Sequence, residues 1–389
     1  MNNKEKLPIG NKAFYVFDIP ELKNRITYIR SFFPDFVDLC YAVKANTFIV
    51  KEMIDSIGKF EICSPGEYYI CEKLNVPLSR MVISGVYKTP SFLEYLFFQT
   101  ETSCVLTVES MLQLSLIKEL SEKTEKQVRI LLRLTNGSQF GINAAEIKSI
   151  ISEKEKLPLL DIIGIQFFSG TQKTSVKKIK RELEKIDNLI SELKEEYGFS
   201  VQELEYGTGF PVTYFDCEDF DEEALFRDVA EMFCGMQNKT RIVIELGRSI
   251  AASCGKYYTP VVDMKTNKDM NYLLVDGGMH HISYFGQYMA MKQPFVSVVG
   301  KENEEAVKSW NICGSLCSMN DILVKNAALP EIGLLDYLCF ERTGAYCATE
   351  GISLFLSRDL PLIYVLDENG NYICLRESYE TMALNMPEY

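Results

Sequence analysis

Residues 37–46 read VDLCYAVKAN, a run of apolar and branched side chains that leads to a lysine, Lys44. Such a run predicts a buried strand, which we place at Phe36–Val43, and the pattern after it predicts a helix over Thr47–Ile57. If the strand belongs to a barrel, a side chain at its end points into the mouth, where functional residues gather. Apolar walls there would disfavour the charged form of the lysine and leave a nucleophilic amine. Taken alone, however, Lys44 is better explained as an ordinary surface lysine at the end of a strand.

The rest of the first two thirds of the chain repeats this alternation of short apolar runs and longer helical stretches. The clearest helix is Val176–Leu193, whose apolar residues recur every three or four positions. Roughly eight strand–helix units suit a (β/α)8 TIM barrel, which we assign to residues 35–265, with a doubly wound sheet as the alternative. The further strands are predicted at Phe60–Cys63, Met81–Ser84, Ser103–Thr107, Val128–Leu134, Leu159–Phe167, Glu203–Tyr206 and Arg241–Glu245.

After about residue 265 the pattern changes to short strands separated by turns. Leu362–Leu366 and Tyr372–Leu375 flank the sequence DENGN, whose Asn-Gly pair is typical of a hairpin. The apolar stretch Ala13–Phe17 could supply one more strand. We therefore expect a second, β-rich domain made of residues 1–34 plus 266–389.

Composition narrows the class of protein. The 389 residues are 47% apolar with a net charge of −13, which suits a large core and disfavours nucleic acid or an anionic membrane as the main partner. The N-terminal residues contain no apolar signal-peptide core, and no run approaches the length of a membrane span. The sequence thus predicts a cytoplasmic protein.

Cysteine and histidine usage narrows the chemistry. The twelve cysteines are scattered without a Cys-x-x-Cys pair, so we expect free thiols in a reducing compartment. The only two histidines are the neighbours His280 and His281. Neither a metal centre nor a Ser-His-Asp triad is expected with so few histidines.

The segment YAVKAN, Tyr41–Asn46, resembles the cofactor-lysine motif of the fold-III pyridoxal-phosphate enzymes, which include the ornithine and diaminopimelate decarboxylases and alanine racemase. The resemblance covers nearly the whole chain, with its motifs in the expected order. It implies that Lys44 holds pyridoxal 5'-phosphate and that Glu61 is the acidic residue behind the lysine. The family pairs its barrel with a β domain and usually forms head-to-tail homodimers whose active sites are shared.

Two segments resemble the parts of this family that hold the cofactor's phosphate. Gly207, Thr208 and Gly209 follow a predicted strand and resemble the glycine-rich phosphate loop, where backbone N–H groups can approach an anion closely. Most Gly-x-Gly turns are only turns, so this loop is weak evidence by itself. The segment FSGTQ resembles the family's His-x-Gly-Ser-Gln, with Phe168 at the position of the ring-stacking histidine and Thr171 as a phosphate ligand.

The segment IELGRSIAA resembles the family's Glu-Pro-Gly-Arg motif and contains Glu245, Gly247 and Arg248. The resemblance implies that Glu245 keeps the pyridine nitrogen protonated, so that the ring withdraws electrons, and that Arg248 lies near the phosphate. A local ion pair of Glu245 with Arg248 is the simpler alternative. Alanine racemases carry an arginine at the glutamate position, so the motif favours decarboxylation. Arg133 resembles the arginine near the cofactor's phenolic oxygen.

The predicted β domain contributes two further motifs. In CGSLCSMNDIL, Cys317 and Asp321 match a Cys-x-x-x-Asp motif that the family inserts into the neighbouring subunit's active site. The resemblance implies that Cys317 returns a proton to the substrate after CO2 leaves. Tyr346, in TGAYC, matches a tyrosine that contacts phosphate and substrate.

Three departures from the family pattern bear on the substrate. Phe168 can stack on a ring but cannot carry charge. Ser318 replaces the acidic residue that reads a distal ammonium in diamine-forming relatives, and Tyr284 replaces the arginine that reads a distal carboxylate in diaminopimelate enzymes. Because a buried substrate charge without a partner is costly, plain ornithine, lysine and diaminopimelate are disfavoured.

The segments VDGGMHH, FFSGTQ and FLSRDLP resemble a subfamily that decarboxylates glutamyl-carrier proteins in butirosin-type biosynthesis. In that case His280 and His281 line the entrance; ordinary interface histidines are the alternative. We expect a pyridoxal-phosphate-dependent decarboxylase of an amino acid or an amino-acid conjugate, free or carrier-bound, in a biosynthetic pathway. The alternatives are a racemase on the same fold, a diaminopimelate decarboxylase, and a non-enzymatic cofactor-binding protein.

Overall fold

The structure is a computed structural model that describes residues 7–388. The chain divides into two compact units. One comprises Ile26–Pro211 and Asp221–Ile250; the other comprises the described residues up to Arg25, Val212–Phe220 and those from Ala251 on. The domain bounds predicted from the sequence include residues 1–6 and 389, which lie outside the described residues, and those bounds stay a prediction. Among residues 7–388, no helix is both long and apolar enough to cross a membrane.

The first unit is built on a closed barrel of eight parallel strands, which confirms the TIM-barrel prediction. In chain order it is preceded by strand β1 (Phe14–Asp18) and helix α1 (Ile19–Arg30). Nearly every barrel position is buried, because helices cover the outside of a parallel barrel while side chains fill its inside. The barrel strands are β2 (Val37–Ala42), β3 (Lys59–Ile62), β4 (Met81–Ile83), β5 (Val105–Val108), β6 (Val128–Leu134), β7 (Leu160–Phe168), β8 (Glu203–Gly207) and β9 (Arg241–Leu246).

The helices between these strands begin at capping side chains. Ser110 caps α4 and Asn143 caps α5, where a reciprocal capping box with Glu146 satisfies free backbone N–H groups. The predicted amphipathic helix is confirmed as α6, which buries Ile179, Leu183 and other residues of its apolar stripe. The helices are α2 (Pro65–Lys73), α3 (Pro90–Gln99), α4 (Met111–Thr124), α5 (Ala144–Ser152), α6 (Val176–Tyr197), α7 (Glu222–Gly235) and the single turn α8 (Arg248–Ala251).

One predicted helix is wrong. The residues expected as a helix at Thr47–Ile57 instead form two short 3-10 turns, Thr47–Ile49 and Lys51–Met53. The side chain of Asn46 accepts a hydrogen bond from Phe48 N, which tightens the chain directly after Lys44. Such local side-chain bonds and β-branched residues both disfavour a regular α-helix.

The second unit contains a nine-stranded sheet with the order β14-β13-β11-β10-β1-β16-β17, to which β15 adds on β10 and β12 adds on β15. The predicted N-terminal strand is confirmed: β1 pairs antiparallel with β10 and parallel with β16. The predicted hairpin around DENGN is confirmed as β16–β17. The strands are β10 (Gly255–Asn267), β11 (Met270–Val275), β12 (Val296–Val298), β13 (Lys308–Cys313), β14 (Ile322–Leu329), β15 (Tyr337–Phe340), β16 (Leu362–Leu366) and β17 (Tyr372–Arg376).

Strands β7 and β8 leave no room for a side chain at Gly164. A β-carbon there would lie 1.8 Å from the carbonyl oxygen of Glu203, which no side-chain rotation can relieve. The β6–β7 register also shifts at this point, from Ile130 opposite Ile162 to Leu131 opposite Gly164. The absence of a side chain at Gly164 therefore lets the barrel close at this bulge.

We expect Gly164→Ala to destabilise the protein by about 2–4 kcal/mol, because the backbones of β7 and β8 must move apart. Urea denaturation would measure the loss. The matched control is Gly235→Ala at the end of α7, where a β-carbon would meet nothing within 4 Å. That change should be neutral or slightly stabilising. Equal unfolding free energies for the two variants would contradict the expectation.

Candidate active site

The barrel places Lys44 just past the end of β2, in a 3-10 turn over Val43–Ala45. Its ammonium forms an ion pair with the buried carboxylate of Glu61, which comes from the neighbouring strand β3. Lys44 Nζ also lies 3.6 Å from the thiol of Cys63. Burial opposes ionisation of Glu61, but the charge and hydrogen bond of Lys44 outweigh it and lower the pKa of Glu61. The lysine therefore meets a carboxylate at the mouth of the barrel.

A second carboxylate, Glu245, lies near the end of β9. Its Oε1 accepts a hydrogen bond of 2.6 Å from Gln166 Nε2. Gly207 on β8 is in register with it, and a β-carbon there would lie 2.4 Å from the Phe168 ring and 3.1 Å from Glu245 Oε2. Burial and then the charge of Glu61 raise the pKa of Glu245. The missing side chain of Gly207 thus makes room for both the carboxylate and the phenyl ring.

The turn after β8 contains the three residues predicted as a phosphate loop. Gly209 has a φ of +60°, and a β-carbon there would lie 2.0 Å from the carbonyl oxygen of Gly170. Its own carbonyl accepts a hydrogen bond of 2.8 Å from Lys173 N. Thr208 is fully buried, and its hydroxyl has no hydrogen-bond partner within residues 7–388. The turn is therefore held by backbone contacts with the 168–173 segment while one buried hydroxyl is left unsatisfied.

The same segment meets the residues that follow β9. Arg248 is buried, and its Nε lies 3.4 Å from Thr171 Oγ1. Gly247 is the single residue between β9 and α8, the turn that Arg248 begins. The structure thus brings together two of the predicted phosphate-side residues, Thr171 and Arg248.

Arg133, on β6, is also buried in the barrel. Its guanidinium forms an ion pair with the buried carboxylate of Glu109 and lies 4.8 Å from the centre of the Phe140 ring. The other oxygen of Glu109 accepts a hydrogen bond of 3.2 Å from Gly141 N. The arginine is therefore fixed by a carboxylate that the sequence did not single out.

A cluster of polar side chains packs next to the turn at Gly207–Gly209. Lys173 Nζ lies 2.9 Å from the carboxylate of Glu182 on α6 and 3.3 Å from both Tyr206 Oη and the Gly207 carbonyl. Ser169 and Tyr206 donate to the same carboxylate at 2.5 and 2.8 Å. Burial opposes ionisation of Glu182, but these hydrogen bonds and the lysine charge prevail and lower its pKa. At the more deeply buried Lys173 burial prevails and lowers the pKa.

In the second unit, Asp321 acts as a clamp between loops. Its two carboxylate oxygens accept hydrogen bonds from Met279 N at 2.7 Å and Leu316 N at 2.8 Å. A β-carbon on Gly278 or Gly314 would lie 2.6 or 2.2 Å from this carboxylate. Burial raises the pKa of Asp321. The two glycines therefore let the loops close around the aspartate.

The hydrogen bonds of Asp321 fix the loop that contains Cys317 and Ser318. The thiol of Cys317 is exposed, whereas Ser318 Oγ accepts a hydrogen bond of 3.3 Å from Asn320 N. Tyr346, in a separate turn, has a φ of +66°, and its carbonyl accepts hydrogen bonds from the N–H groups of two following residues. Of these three predicted residues, Cys317 has the most accessible reactive group.

Three predicted substrate residues of the second unit, Tyr284 and the histidines His280 and His281, are all buried. Tyr284 packs edge-on against Tyr214 and Phe215, and its hydroxyl donates a hydrogen bond of 2.6 Å to the carbonyl of Glu341. His280 and His281 have ring centres 4.0 Å apart, and burial lowers their pKa values to about 3 and about 4. Both histidines are therefore neutral at pH 7.

Several residues of the barrel site were missed from the sequence, namely Cys63, Glu109, Gln166, Lys173, Glu182 and Glu205. Gln166 and Glu205 could have been found, because each is a polar residue between two apolar neighbours within a predicted strand, where only a barrel interior could receive it. Glu182 lies three residues after Ile179 and four before Ile186, at the edge of the apolar stripe of α6, but helical periodicity does not identify its partner Lys173. Burial raises the pKa of the Cys63 thiol above its ordinary value, so it stays protonated.

The barrel residues fit pyridoxal 5'-phosphate, the cofactor that the resemblance implies. Its aldehyde needs an amine, its pyridine nitrogen a carboxylate and its phosphate a set of N–H and O–H donors. Lys44 offers the amine and Glu245 the carboxylate, both at the carboxyl end of the barrel. The glycine turn, with the unsatisfied hydroxyl of Thr208, offers donors for an anion.

Comparison with known proteins agrees with this fit. Residues 20–252 match the family model described as "Pyridoxal-dependent decarboxylase, pyridoxal binding domain". The chain is 29% identical to a diaminopimelate decarboxylase of Aquifex aeolicus, over 97% of this chain and 92% of the relative. It is 27% identical to the L-glutamyl-[BtrI acyl-carrier protein] decarboxylase of Niallia circulans, over 93% and 90%. A crystal structure of diaminopimelate decarboxylase from Methanocaldococcus jannaschii superposes with a TM-score of 0.85 at 20% identity, covering 98% of this chain and 93% of that one.

We expect Lys173→Met to cost about 2–4 kcal/mol of unfolding free energy, because it leaves the carboxylate of Glu182 buried without its cation. The double variant Lys173→Met/Glu182→Gln should recover part of that loss, since no charge then stays unpaired. Lys180→Met on the exposed face of α6 is the control and should change stability by less than about 0.5 kcal/mol. Urea denaturation measures all three. A double variant no more stable than Lys173→Met would show that the ion pair is not the cause.

Proposed function

The chain belongs to the pyridoxal-dependent decarboxylase family, and from that premise we propose that it removes the α-carboxylate of an amino acid whose far end carries no free charge. The observation that carries this proposal is Tyr284. Its position is where the resemblance places the arginine that reads a distal carboxylate. Its ring is packed among aromatic side chains and its hydroxyl already donates to the carbonyl of Glu341. A free carboxylate at that point would be desolvated without a partner.

A carrier-bound aminoacyl group meets this requirement. Decarboxylation needs a free α-carboxylate, so a carrier must be attached through the side-chain carboxyl, and that attachment removes the distal charge. The 27% identity to an enzyme named for a glutamyl-carrier-protein substrate supports this choice over a free diamino acid. The proposed partner is therefore an acyl-carrier protein, and the proposed setting is a biosynthetic pathway.

The barrel residues supply the cofactor-binding half of the proposed mechanism. Lys44 would hold the cofactor through its amine, and Glu61 positions the lysine through their ion pair. The glycine turn and Thr208 hold the phosphate. Glu245 keeps a proton on the pyridine nitrogen. When bound, pyridoxal phosphate supplies an electron-poor ring that accepts the electron pair left on the α-carbon after CO2 departs.

The second unit supplies the proposed proton donor. Cys317 has an exposed thiol on a loop that Asp321 holds in place through two backbone hydrogen bonds. We propose that Cys317 of one chain gives its proton to the α-carbon in the barrel of a second chain, and that Tyr346 contacts the phosphate there. The protein would then act as a homodimer with shared active sites. Its free cysteines support a cytoplasmic location.

Diaminopimelate is the second candidate substrate. It is favoured by the 29% identity to the diaminopimelate decarboxylase of Aquifex aeolicus over 97% of this chain. It is disfavoured by Tyr284, whose hydroxyl proton is already donated within the chain, and by Ser318, which carries no charge for a distal ammonium. Release of CO2 from each candidate substrate distinguishes the two.

The substrate assay is release of labelled CO2 from α-carboxyl-labelled compounds. We expect release from glutamate tethered to an acyl-carrier protein through its side-chain carboxyl, at a kcat/KM at least about 100-fold above that for free glutamate, diaminopimelate, lysine or ornithine, the discrimination expected when a buried charge is left unpaired. Recovery of the amino acid without CO2 loss but with inverted configuration would indicate a racemase. Preference for diaminopimelate would overturn the proposed substrate but not the reaction.

The cofactor test is colour and reduction. The purified protein should be yellow, lose that colour with borohydride and carry the resulting label on Lys44. Lys44→Ala should lose the label and at least about 10³-fold in activity, because its amine is the group that holds the cofactor. Lys51→Ala, at an exposed lysine that begins the 3-10 turn Lys51–Met53, should change neither. A label that stays in Lys44→Ala would remove this lysine from its proposed role.

The shared-site proposal can be tested by subunit mixing. Cys317→Ala and Lys44→Ala homodimers should both be inactive. A mixed dimer keeps one barrel with Lys44 that faces an intact Cys317 from the other chain, so about a quarter of wild-type activity should return in a random mixture. Mixing with a doubly substituted chain is the control and should restore nothing. Failure of the first mixture, with dimers confirmed by native mass spectrometry, would exclude a shared site.

A further inference from the structure

Glu205 lies in the barrel one layer below Glu245. It precedes Gly207 by two residues on β8, so both face the same side of the strand. That side is the one on which Glu245 Oε2 comes within 3.1 Å of a β-carbon built on Gly207. Glu205 itself is fully buried. A carboxyl group that no part of the proposed mechanism uses therefore stands directly behind the proposed partner of the pyridine nitrogen.

Hydrogen-bond donors are scarce around these two carboxyls. Gln166 is in register with Glu205, and its amide N–H group donates to Glu245 instead. Within residues 7–388, no donor reaches either side-chain oxygen of Glu205, and the amide oxygen of Gln166 also has no partner. Two ionised carboxylates would thus share a single amide donor. A proton on Glu205 adds a second hydrogen-bond donor, because a neutral carboxyl group can donate.

The charges that face Glu205 point the same way. Burial raises its pKa well above the ordinary range, and the charge of Glu245 adds to this. The charge of Lys59 opposes the shift, but Lys59 is already paired with Glu203 at the other end of β8, and the charge of Glu203 itself raises the pKa of Glu205. Cys40, on β2, also interacts with Glu205, and burial raises the pKa of its thiol so that it carries no charge.

We propose that Glu205 and Glu245 share one proton at neutral pH, that this proton resides on Glu205, and that Glu205 donates it in a hydrogen bond to the carboxylate of Glu245. Glu205 is thereby a positioning residue, which acts on the cofactor only through Glu245. The hydrogen bond from Glu205 favours the ionised form of Glu245, as does the one from Gln166. With two donors behind it, Glu245 keeps a negative, oriented carboxylate for the pyridine nitrogen. This inference rests on the proposed role of Glu245.

The first test looks for the proton itself in the protein without cofactor. Infrared difference spectra at pH 7 should contain a protonated-carboxyl band that is absent in Glu205→Gln. Glu182→Gln is the control, because Glu182 is ionised, and it should leave the band unchanged. If Glu205→Gln fails to fold, Glu205→Asp replaces it, and the band must then shift in frequency. A band that neither variant alters would overturn the proposal.

The second test uses the pH dependence of unfolding. A group whose pKa is raised in the folded state stabilises the fold fully below its unfolded pKa, near 4.3, and loses that contribution as pH rises toward the folded pKa. Relative to Glu205→Gln, the unfolding equilibrium constant of the wild type should therefore rise about tenfold per pH unit as pH increases from about 5 toward the folded pKa of Glu205. Parallel pH profiles for the two proteins would contradict a proton on Glu205.

The third test asks whether the proton reaches the cofactor site. Glu205→Leu removes the donor and should weaken pyridoxal phosphate binding about tenfold or more, with a shifted absorption spectrum of the bound cofactor, whereas Glu205→Gln keeps an N–H donor and should restore both. Equal effects of the two variants would reduce Glu205 to a packing residue. Glu245→Gln separates the two proposals: unchanged spectrum and activity there would refute the role of Glu245, while the infrared result on Glu205 would still stand or fail by itself.

Discussion

Charge buried inside a closed barrel is the constraint on which the architecture of this site depends. An ion taken out of water inside a protein must be paired, hydrogen-bonded or neutralised, because its desolvation costs several kcal/mol. The first unit meets this requirement with a set of ion pairs that each join different secondary-structure elements or the loops next to them. The pairs are Lys44–Glu61, Lys59–Glu203, Arg133–Glu109 and Lys173–Glu182. Glu205 and Glu245 have no such cation of their own, which is why a shared proton is the arrangement that satisfies them.

Much of the fold could be predicted because the barrel strands are buried on both faces and most of them therefore consist mainly of apolar residues. The hairpin at β16–β17 could also be predicted, since the Asn-Gly pair readily adopts the backbone angles of a tight hairpin turn. The conformation of the segment after Lys44 could not be predicted in this way. Its apolar residues have helical spacing, but Asn46 bonds to Phe48 N and commits the chain to a tight turn. Such a side-chain bond depends on where the preceding strand ends, which periodicity does not encode.

The residues of the candidate site also differ in whether they could be predicted from the sequence. Residues embedded in motifs, such as Lys44 and Glu245, could be named from the sequence because the resemblance supplies their neighbours. Lys173 and Glu182 could not, because what makes them important is a buried contact between a loop and a helix. Glu205 is the intermediate case. A glutamate in the middle of a predicted barrel strand is a visible anomaly, but its consequence appears only when β8 and β9 are placed in register.

Substrate specificity in the proposed reaction comes from polar groups whose hydrogen bonds are already made within the chain. Tyr284 gives its hydroxyl to the carbonyl of Glu341, and Asp321 gives both carboxylate oxygens to backbone N–H groups. The Tyr284 hydroxyl therefore has no proton left for a distal carboxylate, and redirecting it would leave the carbonyl of Glu341 unpaired. A substrate whose distal end is neutral avoids that penalty, whereas a free carboxylate would incur it in addition to its own desolvation. Discrimination of this kind needs no repulsive residue, because the penalty falls on the charged competitor alone.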